Sequence, residues 1–186
     1  STTVDNDNIY IGTTNFGVLK ASFSAPNEFE EIHPDGPLLN NPFSIKAQPD
    51  GVWVTFGEYG LYFNPYDNGG PHQRGISHLK KGKWMNNLET LNAKSLNSIA
   101  VNPSNNNQVF ISSFQSGLLE INDEQPTTLF NQNNSSLEYL DITKDPNKSI
   151  RVGPSAFDNK GLLWTVTSLI YTPLKSFNPS NNQWKS

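Results

Sequence analysis

Apolar residues along this chain fall in short runs or strict alternation, each bounded by clusters of Gly, Pro, Asn and Asp. No window of about 12 residues keeps the three-and-four spacing of an amphipathic helix, so the pattern predicts an all-β chain. Three of the runs share one spacing, an aromatic within an apolar triplet and a glycine seven residues later: Ile9-Tyr10-Ile11 with Gly17-Val18-Leu19, Val52-Trp53-Val54 with Gly60-Leu61-Tyr62, and Val109-Phe110-Ile111 with Gly117-Leu118-Leu119. A degraded fourth copy is Leu163-Trp164-Thr165 followed by Pro173-Leu174.

The anchors Tyr10, Trp53, Phe110 and Trp164 set a repeat of roughly 43 to 57 residues, the range of β-propeller blades. Each repeat divides alike. A short strand such as Phe43-Ser44-Ile45-Lys46-Ala47 is followed by a polar turn, the aromatic strand, a turn ending on the glycine, and a third strand such as Leu61-Tyr62-Phe63. A looser region then carries a fourth strand, as at Gly82-Lys83-Trp84-Met85 and Gln183-Trp184. Four strands per repeat is the content of a propeller blade. The predicted blades are 1–42, 43–97, 98–153 and 154–186 of a single propeller domain, with the anchor aromatics as core rings. Four blades are the lower limit for closing a ring, so an arc of a larger propeller is expected, and its open blade ends invite self-association. Gly17, Gly60 and Gly117 are expected at positive φ, which glycine adopts without steric cost.

Composition sharpens this reading only in part. Of 186 residues, 34% are hydrophobic and 11% aromatic, so large rings offset scarce aliphatics. With 13 Lys and Arg against 17 Asp and Glu the net charge is −4, which argues against a nucleic-acid partner. The absence of cysteine excludes disulfides, thiolate metal sites and cysteine nucleophiles. No run reaches the length of a membrane span, and the lack of an initiator Met reads as a processed or excised product. Asparagine runs such as Asn105-Asn106-Asn107 fit turn chemistry, with an AT-rich genome as the competing source.

Candidate chemistry is sparse. His33, His72 and His78 lack metal-ligand spacing, although His72 and His78 flank Gly75 and could converge in a loop. Asp5-Asn6-Asp7-Asn8 alternates like a calcium loop but lacks its glycine and later glutamate, so a solvated turn is the stronger reading. The pairs Glu30-Glu31 and Asp123-Glu124 are adjacent in sequence, and neighbours on a strand point to opposite faces, which disfavours glycosidase chemistry. Asp50-Gly51-Val52-Trp53 echoes the sialidase turn and is better explained as a hairpin leading into a core ring. The long segment from Asn64 to Gly75 offers Tyr66, His72 and Arg74, and binding surface and disordered insertion both remain open for it. With His78, Lys81 and Trp84 of the basic stretch Lys80-Lys81-Gly82-Lys83-Trp84, these complete the candidate binding residues. No catalytic residue, metal or cofactor is expected.

The repeats resemble the two-component-regulator propeller repeat, through Asp50-Gly51-Val52-Trp53-Val54-Thr55 with Gly60-Leu61, Ile9-Tyr10-Ile11-Gly12-Thr13 with Gly17-Val18, and Asp158-Asn159-Lys160-Gly161-Leu162-Leu163-Trp164. Phe110-Ile111-Ser112-Ser113 departs, with serine where that family has Gly-Thr. The connecting segments Pro34-Asp35-Gly36-Pro37-Leu38-Leu39-Asn40-Asn41, Gly75-Ile76-Ser77-His78 and Ile111 to Glu120 are similar to PorZ-type propeller proteins of the Bacteroidota type IX secretion system. That resemblance implies a non-enzymatic scaffold at the periplasm or cell surface, with envelope or secretion-system proteins and anionic lipopolysaccharide or glycan as partners. The repeat-level likeness alone implies instead a periplasmic ligand-sensing propeller of a hybrid two-component system. A propeller lyase or glycosidase is the weakest expectation.

Overall fold

The computed structural model describes residues 1–14, 17–32, 35–60, 70–140, 143 and 147–186. Among them the regular structure is all β, in four antiparallel four-stranded meanders. The first sheet holds β1 (Thr2–Val4), β2 (Asn8–Gly12), β3 (Val18–Ser22) and β4 (Ala25–Ile32). The second holds β5 (Ser44–Gln48), β6 (Gly51–Thr55), β7 (Ile76–Lys80) and β8 (Lys83–Asn87). The third is β9 (Leu96–Asn102), β10 (Asn105–Ser113), β11 (Gly117–Asn122) and β12 (Gln125–Phe130), and the fourth β13 (Val152–Phe157), β14 (Leu163–Thr167), β15 (Leu174–Asn178) and β16 (Gln183–Lys185). Each sheet runs in sequence order, as propeller blades do. The third and fourth blades thus begin at Leu96 and Val152, slightly before the boundaries drawn from sequence.

The chain divides into two compact units, Ser1–Gly36 and Pro37–Ser186. The first unit is the first blade by itself. In the second, β9 packs beside both β5 and β13, so the first strands of consecutive blades are neighbours. Because side chains alternate along a strand, the third blade gives one residue set to the second blade and the other to the fourth. In the third blade Val109, Ile111, Leu119 and Ile121 pack with Trp53 and Ile76 of the second, while Phe110, Leu118 and Phe130 pack with Leu163 and Phe177 of the fourth. Polar links tie the same joints. Thr55 Oγ1 donates to the Asn97 carbonyl at 2.9 Å, and Asn97 Nδ2 to the Val152 carbonyl at 3.0 Å.

The glycine expectation holds at Gly17 and Gly117, whose φ angles are +66° and +108°, whereas Gly60 does not open the third strand of its blade. The third strand of the second blade is Ile76–Lys80, so the residue that opens it is Gly75, at φ +72° and 22 residues after Trp53 rather than seven. A Cβ on Gly75 would meet the Asn87 carbonyl oxygen at 2.6 Å, just as one on Gly117 would meet the Phe130 oxygen at 2.1 Å. Both carbonyls belong to the end of the adjacent fourth strand, which makes the two glycines structural equivalents. The connection between the second and third strands of this blade therefore runs from Phe56 to Gly75. The predicted strand Leu61-Tyr62-Phe63 lies outside the described residues, as does His33.

The anchor aromatics also diverge. Trp53 and Phe110 are buried core rings, Tyr10 is half-buried, and Trp164 is exposed, against the expectation of four core rings. The three with a polar handle spend it on the preceding hairpin. The Tyr10 hydroxyl donates to Asp5 at 2.8 Å, Trp53 Nε1 to Gln48 at 3.2 Å, and Trp164 Nε1 to Asp158 at 2.8 Å. The Asp5 carboxyl is held at about 2, first by the Asp7 amide, then by Tyr10 and the Asn8 amide. This accounts for the Asp5-Asn6-Asp7-Asn8 segment as a hydrogen-bonded turn.

Candidate functional site

The side chains with the most chemistry lie on the second blade, at its two ends. At the turn between its first two strands, Gln48, Asp50 and Trp53 meet His78 from β7. The His78 and Trp53 rings stack with centroids 3.9 Å apart and planes within 6°, as expected of the directly paired residues Trp53 and His78. An indole N–H only donates, so Gln48 Oε1 is its acceptor and the Gln48 amide nitrogen is the donor to Asp50 Oδ1 at 3.1 Å and to His78 Nε2 at 2.9 Å. With Nε2 accepting, the His78 proton sits on Nδ1 and is donated at 2.6 Å to Glu124 Oε2, on the turn before β12 of the third blade.

The other Glu124 oxygen accepts from Lys80 at 2.8 Å. Glu124 and the preceding Asp123 both have left-handed backbone, at φ +67° and +46°, which turns the carboxylate toward the second blade. The Glu124 hydrogen bond raises the Lys80 ammonium pKa against an opposing desolvation contribution. His78, Lys80 and Glu124 thus form a charged clamp across two blades. Beside it opens a cleft of about 350 Å³ lined by Trp53, Ile76, His78, Met85, Asn86, Asn87, Glu124 and Gln125. Its walls offer an apolar side, amide donors and acceptors, and one carboxylate, a set suited to hydroxylated ligands. Both His78 nitrogens are already bonded, so the ring has no free atom to act as a base.

At the opposite end of the same blade, Glu58 receives His72 Nδ1 and Arg74 Nη2, the latter at 3.0 Å. Arg74 Nη1 also donates to the Phe56 carbonyl at 3.2 Å, and the His72 carbonyl accepts from the Ser95 amide at 2.9 Å. These bonds pin the end of the β6–β7 connection, at His72 and Arg74, to the blade and to the start of β9.

Of the candidate binding residues, the structure joins His72 and Arg74 through Glu58 but sets His78 apart, on a strand and buried, so the convergence of His72 with His78 is not observed. Tyr66 lies outside the described residues. Lys81 is exposed at the β7–β8 turn with φ +49°, its amide bonded to the Asp50 carbonyl at 3.1 Å, and Trp84 is half-buried opposite Leu79. The sequence reading missed Gln48, Glu58 and Glu124 as partners. Among the described residues, no cluster of three or more His, Asp and Glu could hold a metal, and no helix is long and apolar enough to cross a membrane.

Comparison with solved structures places this architecture. PorZ, described as an essential bacterial surface component of the type IX secretion system of Porphyromonas gingivalis, superposes over 98% of this chain with TM-score 0.74 and 19% identity. The extracellular domain of a hybrid two-component system of Bacteroides thetaiotaomicron covers the whole chain at TM-score 0.48 and 18% identity. The chain spans about a quarter of the length of each, 24% and 21%. No protein-family model and no curated protein sequence matches it. The likeness to PorZ shows that the chain has the β-propeller fold, and PorZ is of the type that the connecting segments resemble.

Proposed function

We propose that this chain is a binding and scaffolding propeller segment, without an active site, of a PorZ-like component of type IX secretion and surface attachment. The observation behind it is the superposition on PorZ at TM-score 0.74 over 98% of the chain. The site chemistry fits: the charged groups of the second blade, and the Glu124 carboxylate that borders the cleft, are spent on holding blades and loop together, and the cleft beside them is lined by apolar and amide side chains. The partners proposed are envelope or secretion-system proteins and an anionic lipopolysaccharide or glycan, met outside the cytoplasm through the cleft, the exposed Lys81 and the half-buried Trp84.

The test is binding of the purified chain to immobilised lipopolysaccharides, bacterial glycans and purified type IX attachment proteins. Binding to at least one is expected, weakened several-fold by Trp84→Ala or Lys81→Ala; silence against all of them overturns the proposal. A ligand-sensing propeller of a hybrid two-component system remains the second reading, supported by the repeat motif from Asp50 to Thr55. A membrane helix and kinase encoded after the propeller would favour it.

A further inference from the structure

We propose that the cleft between the second and third blades holds one N-acetylated sugar ring, with the acetamido group seated against Ile76, Met85 and Asn87. This rests on the reading of the cleft as a glycan site and names the unit that it takes. Both walls belong to the larger unit: the face of β7 and β8 on one side, and the turn before β12 on the other. At about 350 Å³ the cleft is at the small end of ligand pockets, which suits a single ring. Register sets out the first wall. Ile76 pairs with Asn87 and His78 with Met85, so they stand as neighbouring pairs on one face of the sheet. Ile76 packs with Trp53 in the aliphatic core, which makes the floor apolar, and Met85 beside it is 39% exposed. Asn87 Oδ1 accepts from the Glu89 amide at 2.8 Å, which fixes the side-chain amide and leaves its Nδ2 as a donor next to Ile76.

On the opposite wall each Glu124 oxygen has one donor, from Lys80 or from His78, and a carboxylate oxygen accepts more than one. Gln125, exposed beside it, brings both a donor and an acceptor. An acetamido group is the complement of this set, because it carries a carbonyl acceptor, a methyl and an N–H donor on one planar unit. The carbonyl meets Asn87 Nδ2, the methyl lies on Ile76 and Met85, and the N–H is received by Glu124, while ring hydroxyls fall to Gln125. Charge selects in the same direction. The Glu124 carboxylate is matched by the Lys80 ammonium at 2.8 Å, so a free amino sugar would set a second cation beside Lys80. A plain hydroxyl in place of the acetamido group would leave the Asn87 donor and the apolar floor unfilled. Anionic groups of a longer glycan fall outside the cleft, where Lys81 is exposed.

The intact chain is titrated, by ligand-observed NMR, with methyl glycosides of N-acetylglucosamine and N-acetylgalactosamine and with the matching amines and parent sugars. At least one N-acetylated glycoside should bind, at least about 10-fold more tightly than its amine and hydroxyl counterparts. Asn87→Asp keeps the acceptor for the Glu89 amide and replaces the ligand-facing donor with a carboxylate oxygen. It should weaken binding at least about 10-fold with the thermal transition unchanged. Met85→Asp, on the exposed part of the same wall, serves in its place if that variant does not fold. Lys81→Ala and Trp84→Ala lie outside the cleft and should leave monosaccharide binding as it is. Equal binding of the acetylated, amine and hydroxyl sugars, undiminished binding by the Asn87 variant, or N-acetylglycinamide binding as tightly as the sugar overturns the assignment. A chain that binds a lipopolysaccharide or glycan but none of the N-acetylated sugars also overturns it and leaves the glycan reading standing, whereas a chain that binds no glycan of any kind removes both.

Discussion

The two inter-blade joints of the larger unit use the same strand positions and different materials. Between the second and third blades the core is aliphatic around one indole, with Ile76, Leu96, Ile99, Val109, Ile111, Leu119 and Ile121 surrounding Trp53. Between the third and fourth it is a chain of rings, Phe110, Phe130, Phe157, Phe177 and Trp184, with centroids 4.7 to 5.9 Å apart. Each joint also carries an ion pair, Glu124 with Lys80 in the first and Glu138 with the buried Lys175 in the second. The repeat thus dictates which positions meet, while the side chains that fill them are particular to each joint.

The largest expected effect breaks the ring chain. Phe177 contacts Phe110, Phe130 and Trp184 at centroid distances of 5.7, 4.9 and 4.7 Å. Phe177→Ala should cost about 3 to 5 kcal/mol by urea denaturation, whereas Ile111→Val in the aliphatic joint should cost only about 1 kcal/mol. Equal losses at the two sites would show that ring packing adds nothing to the second joint. Gly117→Val comes next, at about 3 kcal/mol, because its φ of +108° and a Cβ position 2.1 Å from the Phe130 oxygen leave no relaxed alternative. Gly75→Val should behave alike. A melt of either variant matching the parent would refute the equivalence of the two glycines.

That equivalence marks how far the sequence was legible. The core rings Trp53 and Phe110 and the four-strand content could be read because side-chain alternation and turn residues are local signals. The role of Gly60 was misread because spacing was counted without allowing the connection between the second and third strands to differ in length from blade to blade. The site was less legible still. Glu124 pairs with His78 across 46 residues, and its adjacency to Asp123 served only to argue against paired carboxylates. No local pattern announces a partner supplied by the next blade.

The charged clamps should separate the joints more finely. Glu124→Gln removes the acceptor charge from both His78 and Lys80, and should cost about 1 to 2 kcal/mol at pH 7. The Lys80 pKa is raised by Glu124, so its contribution is whole below the ordinary lysine value of 10.5 and fades as pH rises through the folded-state value. The stability gap between parent and Glu124→Gln should therefore narrow on the alkaline side, above about pH 10.5. A gap that is flat there would mean that Lys80 does not share in the clamp.

The smallest effect lies on the opposite limb. Lys175 is 1% exposed and its ammonium meets Glu138, Thr172 and Ser186, whereas the Glu138 side chain is 45% exposed. The Lys175 hydrogen bond, and after it that of Thr172, holds the Glu138 carboxyl below its ordinary value of 4.5. A lowered carboxyl stabilises the fold above its unfolded-state value, and that contribution disappears as pH falls through the folded-state one. Because half of the pair faces water, the amount is discounted to under about 1 kcal/mol. Glu138→Gln should therefore be modestly less stable than the parent at pH 7, and the difference should shrink below about pH 4.5, measured by paired urea titrations. Growth of the difference in acid would place the stabilising charge elsewhere on Lys175, and the two clamps would no longer be alike in kind.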